Sequence, residues 1–111
     1  MTYANYENLL IEQQGSTLTI TINRPEARNA INPGLHEEFS RIFYDADADE
    51  SVDVVILSGS GGAFCAGGDL NWLLEMHGEP AKTAIGIKRD RKIQHSILDL
   101  EKPIIAKVDG P

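Results

Sequence analysis

The chain has 111 residues, which is enough for one domain and too few for two. Its 10 Lys and Arg residues against 17 Asp and Glu residues give a formal net charge of −7, and this balance argues against a nucleic-acid binder, which needs a positive surface. Hydrophobic residues make up 41% and charged residues 24% of the chain, the mix of a globular protein rather than a disordered one. Apolar runs are only a few residues long, so no membrane span is expected.

The single cysteine, Cys65, excludes an internal disulfide and the usual cysteine-based zinc sites, and we expect no metal. Residues 1–5 lack the basic and apolar regions of a secretory signal and the Arg-rich character of a transit peptide. A cytoplasmic location is therefore the expectation.

Two strands are predicted at the start of the chain. Residues 6–13 form a short apolar run, and Gly15 with Ser16 supplies a turn. Residues 17–22 then alternate Thr with Leu or Ile, the period of a half-buried strand. Together the two runs predict a hairpin.

A helix is predicted after a polar loop. Asn32 is a candidate N-cap and Pro33 suits the first helical position. The following residues place apolar side chains at helical spacing, which gives one buried stripe, formed by Leu35, Phe39, Ile42, Phe43 and Ala46. The acidic run at 45–50 is interpreted as a solvated helix end rather than a metal site.

The second half of the chain alternates strands and helices. Residues 52–57 are almost all β-branched or apolar, which predicts a strand buried on both faces. A glycine-rich loop follows, and Asp69 is predicted to cap a short helix. The remaining predicted elements are helices over Leu70–Met76 and 80–100 and a buried strand over 104–108. This order favours an α/β layered architecture.

The glycine-rich loop does not match a nucleotide-binding motif. Gly59 and Gly61 lack a third glycine at position 64, where Phe64 stands, and no Gly-Lys-Ser/Thr follows. From the glycines alone, a plain strand-to-helix connector is an equal alternative. Ala-Gly-Gly at 66–68, however, puts small residues before a helix start, where accessible backbone N–H groups can stabilise an oxyanion.

Three segments together resemble the crotonase (enoyl-CoA hydratase/isomerase) superfamily. They are NRPEARNAI at 23–31, GAFCAGGDL at 62–70 and KPIIAKVDGP at 102–111, in the family's order and at compatible spacing. Each segment alone is a weak signal, whereas the three together are specific. The resemblance implies an α/β spiral of β-β-α turns, of which residues 1–111 would be the N-terminal part.

The resemblance also implies acyl-CoA thioester substrates, no separate cofactor, and a thioester oxygen held by two backbone N–H groups. By motif position, the Ala66 N–H is the first donor and the catalytic group of this chain. The other implied substrate-binding positions are Gly67, Gly68, Asp69 and Leu70 beside it, Ala27 and Arg28 at the CoA adenine and phosphates, and Trp72 at the acyl group. A solvated arginine is the alternative for Arg28, and a partner subunit or further chain is the alternative neighbour for Trp72.

Beyond Pro111, family members continue with a glycine-rich segment that supplies the second donor and, in hydratases, a glutamate. The 111-residue chain alone is therefore expected to be inactive. Enoyl-CoA hydration is the leading reaction for the parent protein, which by resemblance would be a homotrimer or homohexamer. Isomerisation, decarboxylation and dehalogenation are alternative reactions within the same family. A further alternative is that the chain is a non-catalytic acyl-CoA-binding or assembly module.

Other reactive residues have plainer interpretations. Cys65 has no histidine near it in sequence and is expected to be a packed small residue. His36, His77 and His95 are expected at the surface. The basic residues within 88–92 are interpreted as a solvated face that surrounds the helix, with attraction of CoA phosphates as the alternative.

Overall fold

A computed structural model describes residues 3–111 of the chain. Four strands form one mixed sheet that is combined with three α-helices, so the predicted element order is confirmed. The elements are β1 (Leu9–Gln14), β2 (Thr17–Ile22), α1 (Pro33–Ala48), β3 (Val54–Gly59), α2 (Leu70–Met76), α3 (Pro80–Leu98) and β4 (Ile104–Ala106), with a 3-10 turn at Pro25–Ala27. Within this described range, no helix has both the length and the apolar character needed to cross a membrane.

The sheet has the strand order β1-β2-β3-β4. β1 and β2 pair antiparallel as the predicted hairpin, with Gly15 at φ 59° in the turn. β3 and β4 are each parallel to the preceding strand. The carboxyl ends of β2, β3 and β4 therefore lie at one edge of the sheet, where the loops that follow them meet.

The core lies between one face of the sheet and α1. Side chains from alternate positions of β2 are buried together with the apolar stripe of α1, as the two periodicities predict. The Asn32 side chain accepts a hydrogen bond from the Leu35 N–H at 2.9 Å, and Pro33 follows it. The predicted cap and start of α1 are thus confirmed.

Two strand predictions were wrong in burial. β3 buries Val55, but Val54 and Ile56 on its other face are only half-buried. β4 ends at Ala106, and Ile105 is 54% exposed. Within residues 3–111, the apolar side chains of the two strands contact the core from one sheet face, through the buried Val55 and the partly buried Leu57 and Ile104.

The acidic run at the end of α1 is not simply solvated, which corrects the sequence interpretation. Its aspartates accept hydrogen bonds from residues far away in sequence, and these contacts tie the N-terminal segment and the turn before β4 to α1. The donors are the Tyr6 hydroxyl to Asp45, the Glu101 N–H to Asp47, and the Tyr3 hydroxyl to Asp49.

Asp49 makes the stability of this region dependent on pH. Hydrogen bonds from the Ser51 hydroxyl and the Tyr3 hydroxyl, both 2.6 Å long, lower the pKa of the buried carboxyl from 3.8 to about 2. A lowered pKa in the folded state contributes stability that is present above the unfolded pKa and is lost as the pH falls through the folded one. We therefore expect the unfolding free energy to decrease between pH 5 and pH 2 as this carboxyl becomes protonated.

Urea unfolding at the two pH values measures this loss. The Asp49→Asn variant should be less stable at pH 5 and should lose less stability on acidification than the wild-type chain. An equal loss in both chains would contradict the assignment.

Candidate active site

Backbone hydrogen bonds bring the three resembling segments together. The Ala66 N–H donates to the Arg28 carbonyl at 3.1 Å, which joins the first two segments. The Phe64 N–H donates to the Pro111 carbonyl at 2.5 Å, which joins the second and the third. All three meet at the carboxyl edge of the parallel strands, the general position of ligand sites in open α/β sheets.

Asn29 links the first segment to the loop after β3. Its side chain is fully buried, and its Nδ2 donates to the carbonyls of Ser60 and Ala63, each at 2.9 Å. Its Oδ1 accepts the Arg24 N–H at 2.9 Å. Asn29 has φ 60°, a left-handed conformation that asparagine tolerates better than most residues. Asn29 belongs to the first of the three segments, but its sequence position alone does not predict this role.

Gly59 allows the loop after β3 to fold back onto the strand end. A Cβ atom at this position would lie 2.3 Å from the Ala63 carbonyl oxygen and 2.6 Å from that of Phe64. Both obstacles are backbone atoms, so they cannot give way as a flexible side chain does. The glycine is therefore needed for close approach, and the connector interpretation of this part of the loop holds.

The loops at this edge line a cavity of about 400 Å³. Five of the predicted site positions lie in its wall together with Ala30 and Asn71, and these five are Ala27, Ala66, Gly68, Asp69 and Leu70. Arg28 is exposed beside it and contributes its carbonyl to the Ala66 contact. Most of the site positions predicted from the sequence therefore lie together in the folded structure.

Trp72 lies outside this cavity. It lines a separate one with Met76 and Arg89, and its ring packs against the His36 ring with centroids 4.8 Å apart. The opposite face of α2, with Leu70 and two further leucines, is exposed.

The three backbone N–H groups of the Ala-Gly-Gly stretch differ in availability, and that of Gly67 donates to the Cys65 Sγ at 3.5 Å. The Ala66 N–H is occupied by the Arg28 carbonyl, whereas the Gly68 N–H has no hydrogen-bond partner within residues 3–111. The Gly67 carbonyl accepts the Ile31 N–H at 2.7 Å. Because the peptide bond is planar and trans, this contact fixes the Gly68 N–H in the opposite direction, away from Ile31.

Asp69 is engaged through both carboxylate oxygens. Oδ1 accepts the Trp72 N–H at 3.1 Å and so caps α2, as predicted. Oδ2 lies 3.6 Å from Nη2 of Arg24, a residue for which no site role was predicted from the sequence. The side chain of Asp69 therefore contacts both α2 and the first segment, and Asp69 also lines the cavity.

The surface prediction for His36 was wrong. Its ring is buried, and Nε2 lies 2.5 Å from Oδ1 of Asp90 on α3. His77 and His95 are exposed, as predicted. Cys65 is half-buried and packs against the core, also as predicted, and it borders an otherwise mainly apolar cavity that His36 and Asp90 also line.

The basic residues of α3 do not surround the helix. Lys88, Arg91 and Lys92 share one exposed face with His95, and only Arg89 points elsewhere, toward the cavity that Trp72 lines. The prediction of a solvated location is confirmed for this face, and the predicted distribution around the helix is corrected.

The sheet order and the loop cavity define an α/β protein whose candidate site is built mainly of backbone groups. The sequence profile of the family described as enoyl-CoA hydratase/isomerase matches residues 12–111. The chain belongs to this family, as the three segments indicated.

Individual relatives agree with the family assignment. A Rhizobium meliloti (strain 1021) protein named "Probable enoyl-CoA hydratase" is 45% identical over 106 residues, which cover 96% of this chain and 40% of that protein. The 1,2-epoxyphenylacetyl-CoA isomerase of Escherichia coli K12 is 29% identical over 94% of this chain and 40% of its own length. The crystal structure of an enoyl-CoA hydratase/isomerase from Mycobacterium paratuberculosis matches with a TM-score of 0.92 and 29% identity, over 96% of this chain and 43% of that one. The chain spans about 40% of the length of such relatives.

Proposed function

We propose that residues 1–111 are the N-terminal part of an enzyme that acts on acyl-CoA thioesters, with enoyl-CoA hydration as the leading reaction. The observation that carries the proposal is a cavity lined by two of the three family segments, with an unoccupied backbone donor in its wall and the third segment hydrogen-bonded to the second. The names of two relatives, a hydratase of enoyl-CoA and an isomerase of another CoA ester, support the substrate class.

The proposed chemical contribution is a hydrogen bond to the thioester oxygen. Negative charge develops on this oxygen during the reaction, and a preoriented N–H stabilises it without reorganisation. The sequence pointed to Ala66 for this role, but its N–H would first have to leave the Arg28 carbonyl. We therefore assign the donor to the Gly68 N–H and keep Ala66 as the rival.

The other site positions have supporting parts in the proposal. Ala27 and Leu70 lie in the cavity wall with Gly68, and the small Ala27 leaves room for a ligand. Arg28 is exposed and follows the lining residue Ala27, and we propose that its charge meets the CoA phosphates. An acyl contact for Trp72 stays a prediction, since Trp72 lines a separate cavity.

Proline at position 68 tests the donor assignment in the intact enzyme. Gly68→Pro removes the N–H, and we expect kcat to fall by at least about 10²–10³-fold, the cost of one oxyanion donor in a protease. Gly68→Ala is the matched control because it keeps the N–H. Its Cβ would meet the flexible Leu73 side chain at 3.3 Å, so kcat should change little.

Circular dichroism must first show that each variant is folded. A large loss of kcat in folded Ala66→Pro combined with normal turnover in Gly68→Pro would return the donor role to Ala66. Normal turnover in both proline variants would remove the oxyanion role from this loop.

The 111-residue chain alone should have no hydratase activity. Among the residues that line the cavity, Asp69 is the one with a carboxylate. One of its oxygens accepts the Trp72 N–H of α2, and the other faces Arg24. Without a free carboxylate, no general base is available to activate water. Crotonyl-CoA absorbance should stay constant when the isolated chain is added, even where calorimetry shows that the ester binds. Turnover at ordinary enzyme rates, about 1–10³ s⁻¹, would contradict this.

The parent protein is proposed to be a homotrimer or homohexamer, and the isolated chain should self-associate. Leu74 and Leu98 are 72% and 81% exposed. Large apolar side chains exposed to water in this way favour association. Sedimentation velocity should show species larger than a monomer, which the Leu74→Gln and Leu98→Gln variants reduce. A uniform monomer at all concentrations would contradict this prediction.

A further inference from the structure

We infer that Arg24 is a positioning residue, whose contact with Asp69 locks the two loops of the cavity together and thereby fixes the direction of the Gly68 N–H. Arg24 does not line the cavity, so it acts through its neighbours rather than on the substrate. The inference rests on the proposed function for its ligand, an acyl-CoA thioester.

The Arg24 guanidinium bridges two segments that are far apart in sequence. Nη1 donates to the Ala30 carbonyl in the loop before α1, and Nη2 faces Oδ2 of Asp69 before α2 at 3.6 Å. The side chains of Arg24 and Asp69 are only 14% and 19% exposed. Because salt and water screen a mostly buried pair less than an exposed one, this contact can hold the loops in one geometry.

The Arg24 contacts flank the backbone bridge that orients the donor. Ile31 accepts the Asp69 N–H at 2.8 Å and donates to the Gly67 carbonyl at 2.7 Å. Ala30 precedes Ile31, and Asp69 follows the donor residue Gly68. Arg24 therefore contacts the residues next to both ends of this pair of hydrogen bonds. In the absence of the Arg24 side chain, the two hydrogen bonds alone would set the direction of the Gly68 N–H.

A direct contact of Arg24 with CoA phosphates is the alternative, and the structure disfavours it. The guanidinium is mostly buried, and two of its nitrogens face Ala30 and Asp69. Arg28 is exposed and lies closer to solvent.

Three variants of the intact enzyme separate the lock from a general loss of stability. Arg24→Met keeps the aliphatic stem and removes the charge. Asp69→Asn also removes the charge, but asparagine is as good an N-cap as aspartate, so the start of α2 is retained. The double variant tests coupling, because two residues of one contact give non-additive effects. Arg41→Met is the matched control, since Arg41 pairs with Glu37 on the surface of α1, at 2.8 Å, away from the cavity.

The first readout is hydrogen exchange of the Ile31 and Asp69 amides, corrected for global stability. Both amides should exchange faster in Arg24→Met and in Asp69→Asn, the double variant should be no faster than the singles, and Arg41→Met should match the wild type. Unchanged exchange in the two single variants would overturn the lock, whether or not the enzyme is active.

The second readout is turnover of crotonyl-CoA. Misplacement of a donor by about 1 Å can cost up to about 10²-fold in rate, so kcat should fall roughly 10- to 100-fold in both single variants with little change in KM. A large rise in KM with unchanged kcat would indicate a phosphate contact, and unchanged kcat and KM would remove the positioning role. If the wild-type enzyme neither binds nor converts acyl-CoA esters, the proposed function fails, while the exchange result still decides whether the lock exists.

Discussion

The buried amide of Asn29 is the contact on which the candidate site depends. It supplies partners for two carbonyls of the loop after β3 and for the Arg24 N–H. A buried polar group left without a partner costs about 1–3 kcal/mol, so loss of this side chain would release both loops. The Ala66 contact with the Arg28 carbonyl lies in the same two loops, one residue from Asn29 along the chain. One side chain therefore determines where the two loops of the candidate site meet.

A site built from backbone groups places unusual demands on sequence. The donor needs no side chain of its own, so the neighbouring positions must be small enough for a ligand to approach, as Ala66 and Gly68 are. Specific side chains are needed instead around these peptide planes, from Asn29 and Arg24 outside the cavity lining and from Asp69 within it. Such a frame leaves the side chains around the ligand free to differ, which is consistent with the hydratase and isomerase names among relatives of 45% and 29% identity.

Local patterns in the sequence predicted the local structure, and the misses lie in long-range contacts. The cap at Asn32 and the apolar stripe of α1 depend on neighbours within one or two turns, so spacing was sufficient to find them. The burial of His36 depends on Asp90, 54 residues later, and no local pattern reports it. The occupied Ala66 N–H depends in the same way on the Arg28 carbonyl, so motif position alone could not identify the free donor.

The Arg24 and Asp69 pair is better explained by orientation than by stability. Removing two charges from water costs several kcal/mol, and a mostly buried pair often contributes little net stability compared with apolar residues. Its contact distance of 3.6 Å is long for a strong charge-assisted hydrogen bond, which also argues against a large stabilising effect. What the pair offers is direction, because a planar guanidinium addresses the Ala30 carbonyl and the Asp69 carboxylate at a fixed angle. Lysine, with one compact ammonium, could not span both partners in the same way, and this difference separates a positioning role from a purely electrostatic one.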